Sequence, residues 1–269
     1  MDSIIDHVPR IVAIYITPYS SELKSTWIGL AVTTFAILSS GSLKASYGRH
    51  FERNAIIPTV NGKLGWMSME IISPIAASLL FAAYKIQGPS ITKDGVLLVL
   101  WLLHYSNRAL ISVLLSPHMT NSRVDTVLMS MFFNLINGGW IGHDLGRLNA
   151  QPFVIDTRTL LGFALFLAGW ITNISSDYHL QSTRRKKQDR GEYVLPDWGF
   201  YNYVVSPNYA GEIVEWIGYS LMMGTDSAWV FVLWTVCNLV PRARTNLQWY
   251  KEKFGKKVGN RTALIPGIY

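Results

Sequence analysis

The chain has 269 residues, of which 49% are apolar and only 15% carry a charge. A soluble globular domain has about 25% charged residues, and the mean hydropathy of +0.21 also argues against an ordinary soluble enzyme. The net charge of +7 would suit a nucleic-acid partner, but its distribution along the chain follows a membrane topology, so no such partner is expected. The single cysteine, Cys237, excludes an intrachain disulfide and a cysteine-rich zinc site.

Seven apolar stretches are long enough, or nearly long enough, to cross a bilayer as helices. In chain order they occupy 27–43, 65–84, 95–115, 126–142, 159–176, 207–223 and 227–241. No linker separates two domains, so we predict an all-α polytopic membrane protein, with one bundle of about seven transmembrane helices over 27–269. Residues 1–26 are expected to form a luminal or interfacial segment, because the apolar run at 8–19 is too short to span a bilayer.

Positive charge sets the predicted orientation of this bundle. With seven spans, one side of the membrane holds the loops 44–64, 116–125 and 177–206 and the tail 242–269. These segments contain 4, 1, 5 and 7 of the 24 lysine and arginine residues, respectively. Because cytosolic loops carry the excess of Lys and Arg, the C-terminus is predicted to be cytosolic and the N-terminus to lie on the opposite side.

Polar and ionisable side chains recur inside the apolar segments, where each is costly and is usually functional or paired. They are Glu70, His104, Tyr105, Asn107, Arg108, Asn134, Asn137, Asn173, Asp177, Asn208, Glu212 and Glu215. Asn173 and Asp177 are four residues apart, and Asn208, Glu212 and Glu215 follow i, i+4, i+7, so each group shares a helix face. Interhelical hydrogen bonds explain a single Asn, but this many acids beside an arginine predict a shared polar cavity.

Several chemistries lack their motifs in this chain. There is no P-loop and no GxGxxG segment, so soluble nucleotide-binding folds are not expected. The six histidines form no HExxH or HxxHH cluster, which disfavours a metalloprotease or a di-iron hydroxylase, and no metal is expected. A GxSxG elbow is also missing. The polar residues in the spans are also compatible with a transporter, although the absence of internal repeats disfavours that function.

Three C-terminal segments resemble the steroid 5α-reductase family. They are 208–219 (NYAGEIVEWIGY), 173–178 with 191–196 (NISSDY and GEYVLP), and 261–266 (RTALIP). Upstream, 47–50, 66–70, 104–108 and 137–138 follow in the family's order, so the resemblance covers roughly 47–269. It implies a seven-helix protein of the endoplasmic reticulum membrane, which reduces a carbon–carbon double bond conjugated to a carbonyl and binds NADPH from the cytosol.

The resemblance also implies the residues of the site. Glu70 and Tyr105 are expected to be catalytic, because a hydrogen-bond donor aimed at the carbonyl oxygen stabilises the negative charge that develops there. Glu70, in an apolar span, is expected to stay protonated and to donate beside the Tyr105 phenol. Contacts to NADPH are implied for Arg108, Asn173, Asp177, Arg184, Tyr193, Asn208, Glu212, Arg242 and Tyr250. The basic run at 184–187 could hold a phosphate or could simply be a solvated cytosolic loop.

Departures from the mammalian pattern leave the substrate open. Met69 stands where mammalian members have Gln, 116–120 (SPHMT) replaces an Arg-Gly-Arg-Pro loop, and Asn246 replaces a His. The expected partners are the bilayer and a hydrophobic enone such as a Δ4-3-oxosteroid, with the protein as a monomer. A polyketide, terpenoid or fatty-acyl enone is the alternative substrate. Alternatives of another class are a membrane methyltransferase that binds S-adenosylmethionine and a sterol-binding or transport protein.

Overall fold

The computed structural model describes residues 20–41, 56–84, 92–148, 155–187 and 193–269. Within these ranges the chain forms seven helices, which confirms the predicted all-α membrane fold. They are α1 (Ser20–Ser40), α2 (Gly62–Tyr84), α3 (Lys93–Leu115), α4 (Val124–Arg147), α5 (Thr157–Lys187), α6 (Pro207–Met223) and α7 (Asp226–Phe254). The expectations for 1–19, for the motif 47–50 and for 191–192 lie outside the described residues.

Short elements connect these helices. The two-residue strands β1 (Thr59–Val60) and β2 (Ser122–Arg123) pair antiparallel and join the segments that enter α2 and α4. A 3₁₀ turn at Gly199–Asn202 precedes α6, and another at Gly255–Val258 follows α7. Three helices combine the length and the apolar composition needed to cross a membrane, namely α2, α3 and the Thr157–Arg185 part of α5.

Two helices continue beyond the ends of the spans predicted from the sequence. The α5 helix continues to Lys187 instead of ending at 176, and α7 continues to Phe254 instead of ending at 241. Each extension is about three turns. The prediction stopped where the sequence becomes polar, but a helix that leaves the hydrocarbon layer can continue with polar residues. Arg184, predicted in a loop, therefore lies on α5, and Tyr250, predicted in the tail, lies on α7.

Glycines bring two helix pairs, α2–α4 and α5–α6, into backbone contact. A Cβ placed on Gly142 of α4 would overlap the carbonyl oxygen of Ala77 on α2. In the other pair, a Cβ on Gly169 of α5 would overlap the backbone nitrogen of Glu215 on α6. Small residues allow such approach and favour packing between membrane helices. The second contact matters for the site, because it fixes the backbone that carries Glu215.

An aromatic core joins the two pairs through α3 and α7. The ring of Trp101 on α3 is fully buried, and its centroid lies 4.9 Å from that of Trp216 on α6 and 5.1 Å from that of Phe231 on α7. One turn further along α7, the ring centroid of Trp234 lies 5.0 Å from that of Trp27 of α1. Rings at these separations contribute packing energy beyond their buried area, so the core sets where the polar stripes of the helices meet.

The contact between α2 and α4 predicts that Gly142→Ala destabilises the protein. The added methyl group meets backbone atoms, which can move away only if the helices separate, and overpacking of this kind costs about 1–3 kcal/mol. Thermal unfolding in detergent measures the loss. Gly29→Ala on α1 is the matched control, because a Cβ there meets nothing within 4 Å. Equal unfolding temperatures for the two variants would contradict the close contact.

Candidate active site

A cavity of about 720 Å³, its open mouth included, lies between α2, α3, α4, α6 and α7. Its polar lining includes Glu70, His104, Tyr105, Arg108, Asn134 and Glu212, and its apolar lining includes Phe133, Phe231 and Trp234. Convergent polar groups beside aromatic rings in one cleft are typical of a small-molecule site. The polar stripes of four predicted spans thus meet in one space.

Arg108 bridges two acids at the centre of this cavity. It lies in a π-helical segment of α3 (Asn107–Ile111), a rare geometry that is frequent at functional sites. Its Nε donates to Glu70 Oε1 on α2 at 3.1 Å, and its Nη1 donates to Glu212 Oε2 on α6 at 3.3 Å. The guanidinium also lies 5.3 Å from the centroid of the Trp66 ring. One cation therefore ties three helices together and balances two nearly buried carboxylates.

Arg108 is the partner of Glu70 in the structure. Its guanidinium N–H donates, and Glu70 Oε1 accepts. The sequence could show only the apolar surroundings of Glu70, and the expectation that its carboxyl donates to a substrate carbonyl stays a prediction. The arginine is the positive partner that an ionised carboxylate needs at this depth.

Tyr105 is held at the cavity wall by a side chain of α4. The residue is 3% exposed, and its hydroxyl donates to Asn134 Oδ1 at 3.4 Å. Asn134 Nδ2 in turn donates to the carbonyl oxygen of Met69 on α2 at 2.8 Å. The sequence marked Asn134 only as a polar residue inside a span, and no spacing linked it to Tyr105. The structure makes it the residue that orients the phenol.

A histidine and a glutamate form a second buried pair beside the same cavity. His104 Nδ1 and Glu215 Oε1 are 2.7 Å apart, and their side chains are only 4% and 0% exposed. The sequence places both residues among the polar groups of one predicted cavity, but it does not pair them. The signal that could have linked them is that each is an ionisable residue within a span.

A second cavity of about 450 Å³ adjoins the first and shares Trp66 and Arg108 with it. Its other polar lining residues are Asn107, Ser112, Ser116, Asn173, Asp177 and Gln181. Asn208 Nδ2 donates to Asp177 Oδ1 at 2.9 Å, and Asn173 Nδ2 donates to the carbonyl oxygen of Asn208 at 3.0 Å. The polar stripes of α5 and α6 therefore interlock beside this cavity.

The remaining residues proposed to contact the cofactor lie at different distances from these cavities. Arg242 lines the first cavity, and Arg184 is close enough to Asp177 for their charges to interact. Tyr193 is 51% exposed, with its ring edge against Trp249 at 4.9 Å. Tyr250 is 1% exposed and is buried near the end of α7. Within the described part of the chain, neither tyrosine lines the two cavities.

The fold and the cavities define a polytopic membrane protein with a polar site inside its bundle. The family model described as 3-oxo-5-alpha-steroid 4-dehydrogenase matches residues 120–269. Steroid 5-alpha-reductase DET2 of Gossypium hirsutum is 35% identical over 84% of this chain and 89% of its own length. The 3-oxo-5-alpha-steroid 4-dehydrogenase 1 of Macaca fascicularis is 30% identical over 90% of this chain and 92% of its own length. The protein of the same name from Homo sapiens is 31% identical over 83% of this chain and 86% of its own length.

The chain therefore belongs to the steroid 5-alpha-reductase family, and the resemblance seen in its motifs is confirmed. It is an oxidoreductase that acts on CH–CH groups, and its family uses a nicotinamide cofactor. A methyltransferase and a sterol-binding protein are thereby excluded as its class.

The arginine bridge predicts that Arg108→Met strongly destabilises the protein. Removing the cation leaves two nearly buried carboxylates without a positive partner, which costs about 3 kcal/mol. Unfolding measurements test this, with Arg123→Met on β2 as the control. Arg123 pairs with Asp125, whose side chain is 40% exposed, so its loss costs less than about 1 kcal/mol.

Adding Glu70→Gln and Glu212→Gln to Arg108→Met should restore most of the lost stability, because the uncompensated charges are then gone. Similar losses for Arg108→Met and Arg123→Met would show that the bridge does not carry this energy.

Proposed function

We propose that this protein uses NADPH to reduce a carbon–carbon double bond conjugated to a carbonyl in a Δ4-3-oxosteroid or a similar polycyclic lipid. The observation that carries the proposal is the position of Tyr105, a buried phenol oriented by Asn134 in the wall of an apolar-sided cavity. Membership of the family supports the reduction of a steroid double bond in general.

The lining of the first cavity supports a flat apolar substrate with one polar end. Phe133, Phe231 and Trp234 offer ring surface, whereas the hydroxyl of Tyr105 can turn its one proton from Asn134 Oδ1 to the carbonyl oxygen of a substrate. Such a donor lowers the barrier because charge moves onto that oxygen in the transition state. The side chain of Met69 also lines the cavity and has no N–H or O–H to donate. We assign the polarisation of the carbonyl to Tyr105 with Glu70 as the second catalytic residue, whose Oε1 also holds Arg108.

The second cavity supports NADPH as the cofactor. Its amides, hydroxyls and carboxylate, from Asn173, Asp177 and Gln181 among others, have the hydrogen-bonding capacity that a carboxamide and ribose hydroxyls require. Arg184 lies near Asp177 and would hold a phosphate. Bound NADPH would supply the hydride. Arg108, Asn208, Glu212 and Arg242 are proposed to complete the binding site, with Tyr193 and Tyr250 as its outermost members.

The arrangement of charge supports a multi-pass protein of the endoplasmic reticulum membrane with a cytosolic C-terminus. Arg184 and Arg185 lie near the end of α5, and Lys251 and Lys253 lie in the last turns of α7. Basic residues at these helix ends fit the cytosolic side of a membrane, where a soluble dinucleotide is available. We propose that the protein acts there as a monomer.

The purified protein in lipid nanodiscs should oxidise NADPH only when an enone lipid is supplied. A panel of Δ4-3-oxosteroid, polyketide, terpenoid and fatty-acyl enones, with mass spectrometry of the products, identifies the substrate class. The affinity for NADPH should exceed that for NADH, because the extra phosphate gains charge-assisted contacts. Reduction of none of these enones would contradict the proposed function.

Arg184→Gln tests the cofactor assignment within the same assay. Loss of one contact between a cation and a phosphate should weaken NADPH binding about tenfold or more, with less effect on NADH. Arg158→Gln is the matched control, because Arg158 lies at the other end of α5 and donates to the carbonyl oxygen of Leu221. Equal affinities of the unmodified protein for NADPH and NADH would contradict a phosphate site.

Tyr105→Phe should slow hydride transfer about a hundredfold, because it removes the donor to the carbonyl oxygen. Single-turnover oxidation of NADPH measures this step, and NADPH affinity should change little. Tyr219→Phe is the matched control. That tyrosine is also fully buried near Trp101, but its hydroxyl has no hydrogen-bond partner among the described residues and lies outside the lining of both cavities. Similar rates for the two variants would remove Tyr105 from the reaction.

A further inference from the structure

Reduction of an enone requires a proton as well as a hydride. The hydride adds to the β-carbon, and the α-carbon must then gain a proton. Tyr105 is assigned to the carbonyl oxygen, while Glu70 and Glu212 accept hydrogen bonds from Arg108. None of these three residues is therefore assigned to supply the proton of the α-carbon.

We propose that His104, paired with Glu215, is the acid that protonates the α-carbon. The proposal rests on the proposed enone reduction, and it adds a catalytic residue and a positioning residue to that site. Both members of the pair lie within the bundle, one on α3 and one on α6, and are 111 positions apart in the chain.

The position of His104 fits the geometry of an enone. Its side chain lines the same cavity as the neighbouring Tyr105, and the centroids of the two rings are 5.1 Å apart. The carbonyl oxygen and the α-carbon of an enone are separated by only two bonds. Donors to these two atoms must therefore be close neighbours, as His104 and Tyr105 are.

Glu215 prepares the imidazole for this task. Its Oε1 lies 2.7 Å from His104 Nδ1, and its Oε2 has no hydrogen-bond partner among the described residues. A carboxylate this deeply buried needs a positive partner, and in the proposed mechanism His104 supplies it by carrying a proton on each ring nitrogen before the step. The Trp216 ring, whose centroid is 4.5 Å from that of the imidazole, packs against the histidine. With Nδ1 bound to Glu215, Nε2–H is the bond available for proton transfer, as in other pairs of a carboxylate and a histidine.

A single turnover has two stages, addition of hydride and then transfer of a proton. Addition of hydride to the β-carbon moves the double-bond electrons toward the carbonyl oxygen and leaves an enolate, which Tyr105 stabilises through its hydroxyl. The enolate α-carbon then forms a C–H bond as the Nε2–H bond of His104 breaks, and the carbonyl reforms. His104 is left neutral, with Nδ1–H donating to the Glu215 carboxylate. Water that enters through the cavity mouth returns the proton, so one hydride and one proton are consumed.

His104→Gln tests the proposal, because glutamine stays polar but cannot act as an acid at neutral pH. Turnover of the folded protein should fall about a hundredfold, while its NADPH affinity changes little. The unfolding temperature should fall, because the buried Glu215 carboxylate loses its positive partner. In D₂O, the unmodified protein should place deuterium on one face of the α-carbon. The variant, whose enolate must take its proton from water, should label both faces. His179→Gln is the matched control, since His179 stacks on Trp198 and lies outside the lining of both cavities.

Glu215→Gln provides a second and independent variant if His104→Gln folds poorly. It preserves the shape of the pair but removes the charge that stabilises the protonated imidazole, so turnover should fall about tenfold or more. Turnover and single-face labelling like those of the unmodified protein, in either folded variant, would overturn the assignment of His104. Failure of the unmodified protein to reduce any enone would instead overturn the proposed function, so the two failures are distinguishable.

Discussion

The double contact of Arg108 with Glu70 and Glu212 is the constraint on which the site depends. A guanidinium within a bundle is tolerated only where anions balance it, and the two carboxylates are tolerated only because of the guanidinium. The three residues come from three helices, so the bridge holds α2, α3 and α6 together at this point. Both cavities have Arg108 in their walls, so this arrangement also fixes how the two spaces meet.

Packing elsewhere in the bundle places the polar groups where that balance is possible. The glycine contact between α5 and α6 holds the backbone at Glu215, and the Trp216 ring packs against His104, whose Nδ1 lies 2.7 Å from Glu215 Oε1. Asn134 uses both ends of its amide, one for Tyr105 and one for the α2 backbone. Tyr105, Arg108 and His104 of α3 thus each contact a polar partner on another helix.

The helices could be predicted from the sequence because a membrane imposes long apolar segments, and the family could be identified from motifs near the C-terminus. The ends of α5 and α7 could not be predicted, because hydropathy reports the edge of the bilayer and not the end of a helix. The contact between Glu70 and Arg108 could not be predicted either, since the two residues lie 38 positions apart in the chain. Periodicity shows which face of a helix is polar, but not which side chain on another helix will meet it.

The length of α5 has a consequence for how two unlike molecules reach one enzyme. A helix of 31 residues is roughly 46 Å long, whereas the hydrocarbon core of a bilayer is about 30 Å thick. Asp177 and Arg184 lie on the last third of this helix, where the sequence becomes polar. Under the proposed function, a charged dinucleotide would be received from the aqueous phase and an apolar lipid from the hydrocarbon phase. The catalyst would then work at a phase boundary, and neither molecule would have to enter the solvent of the other.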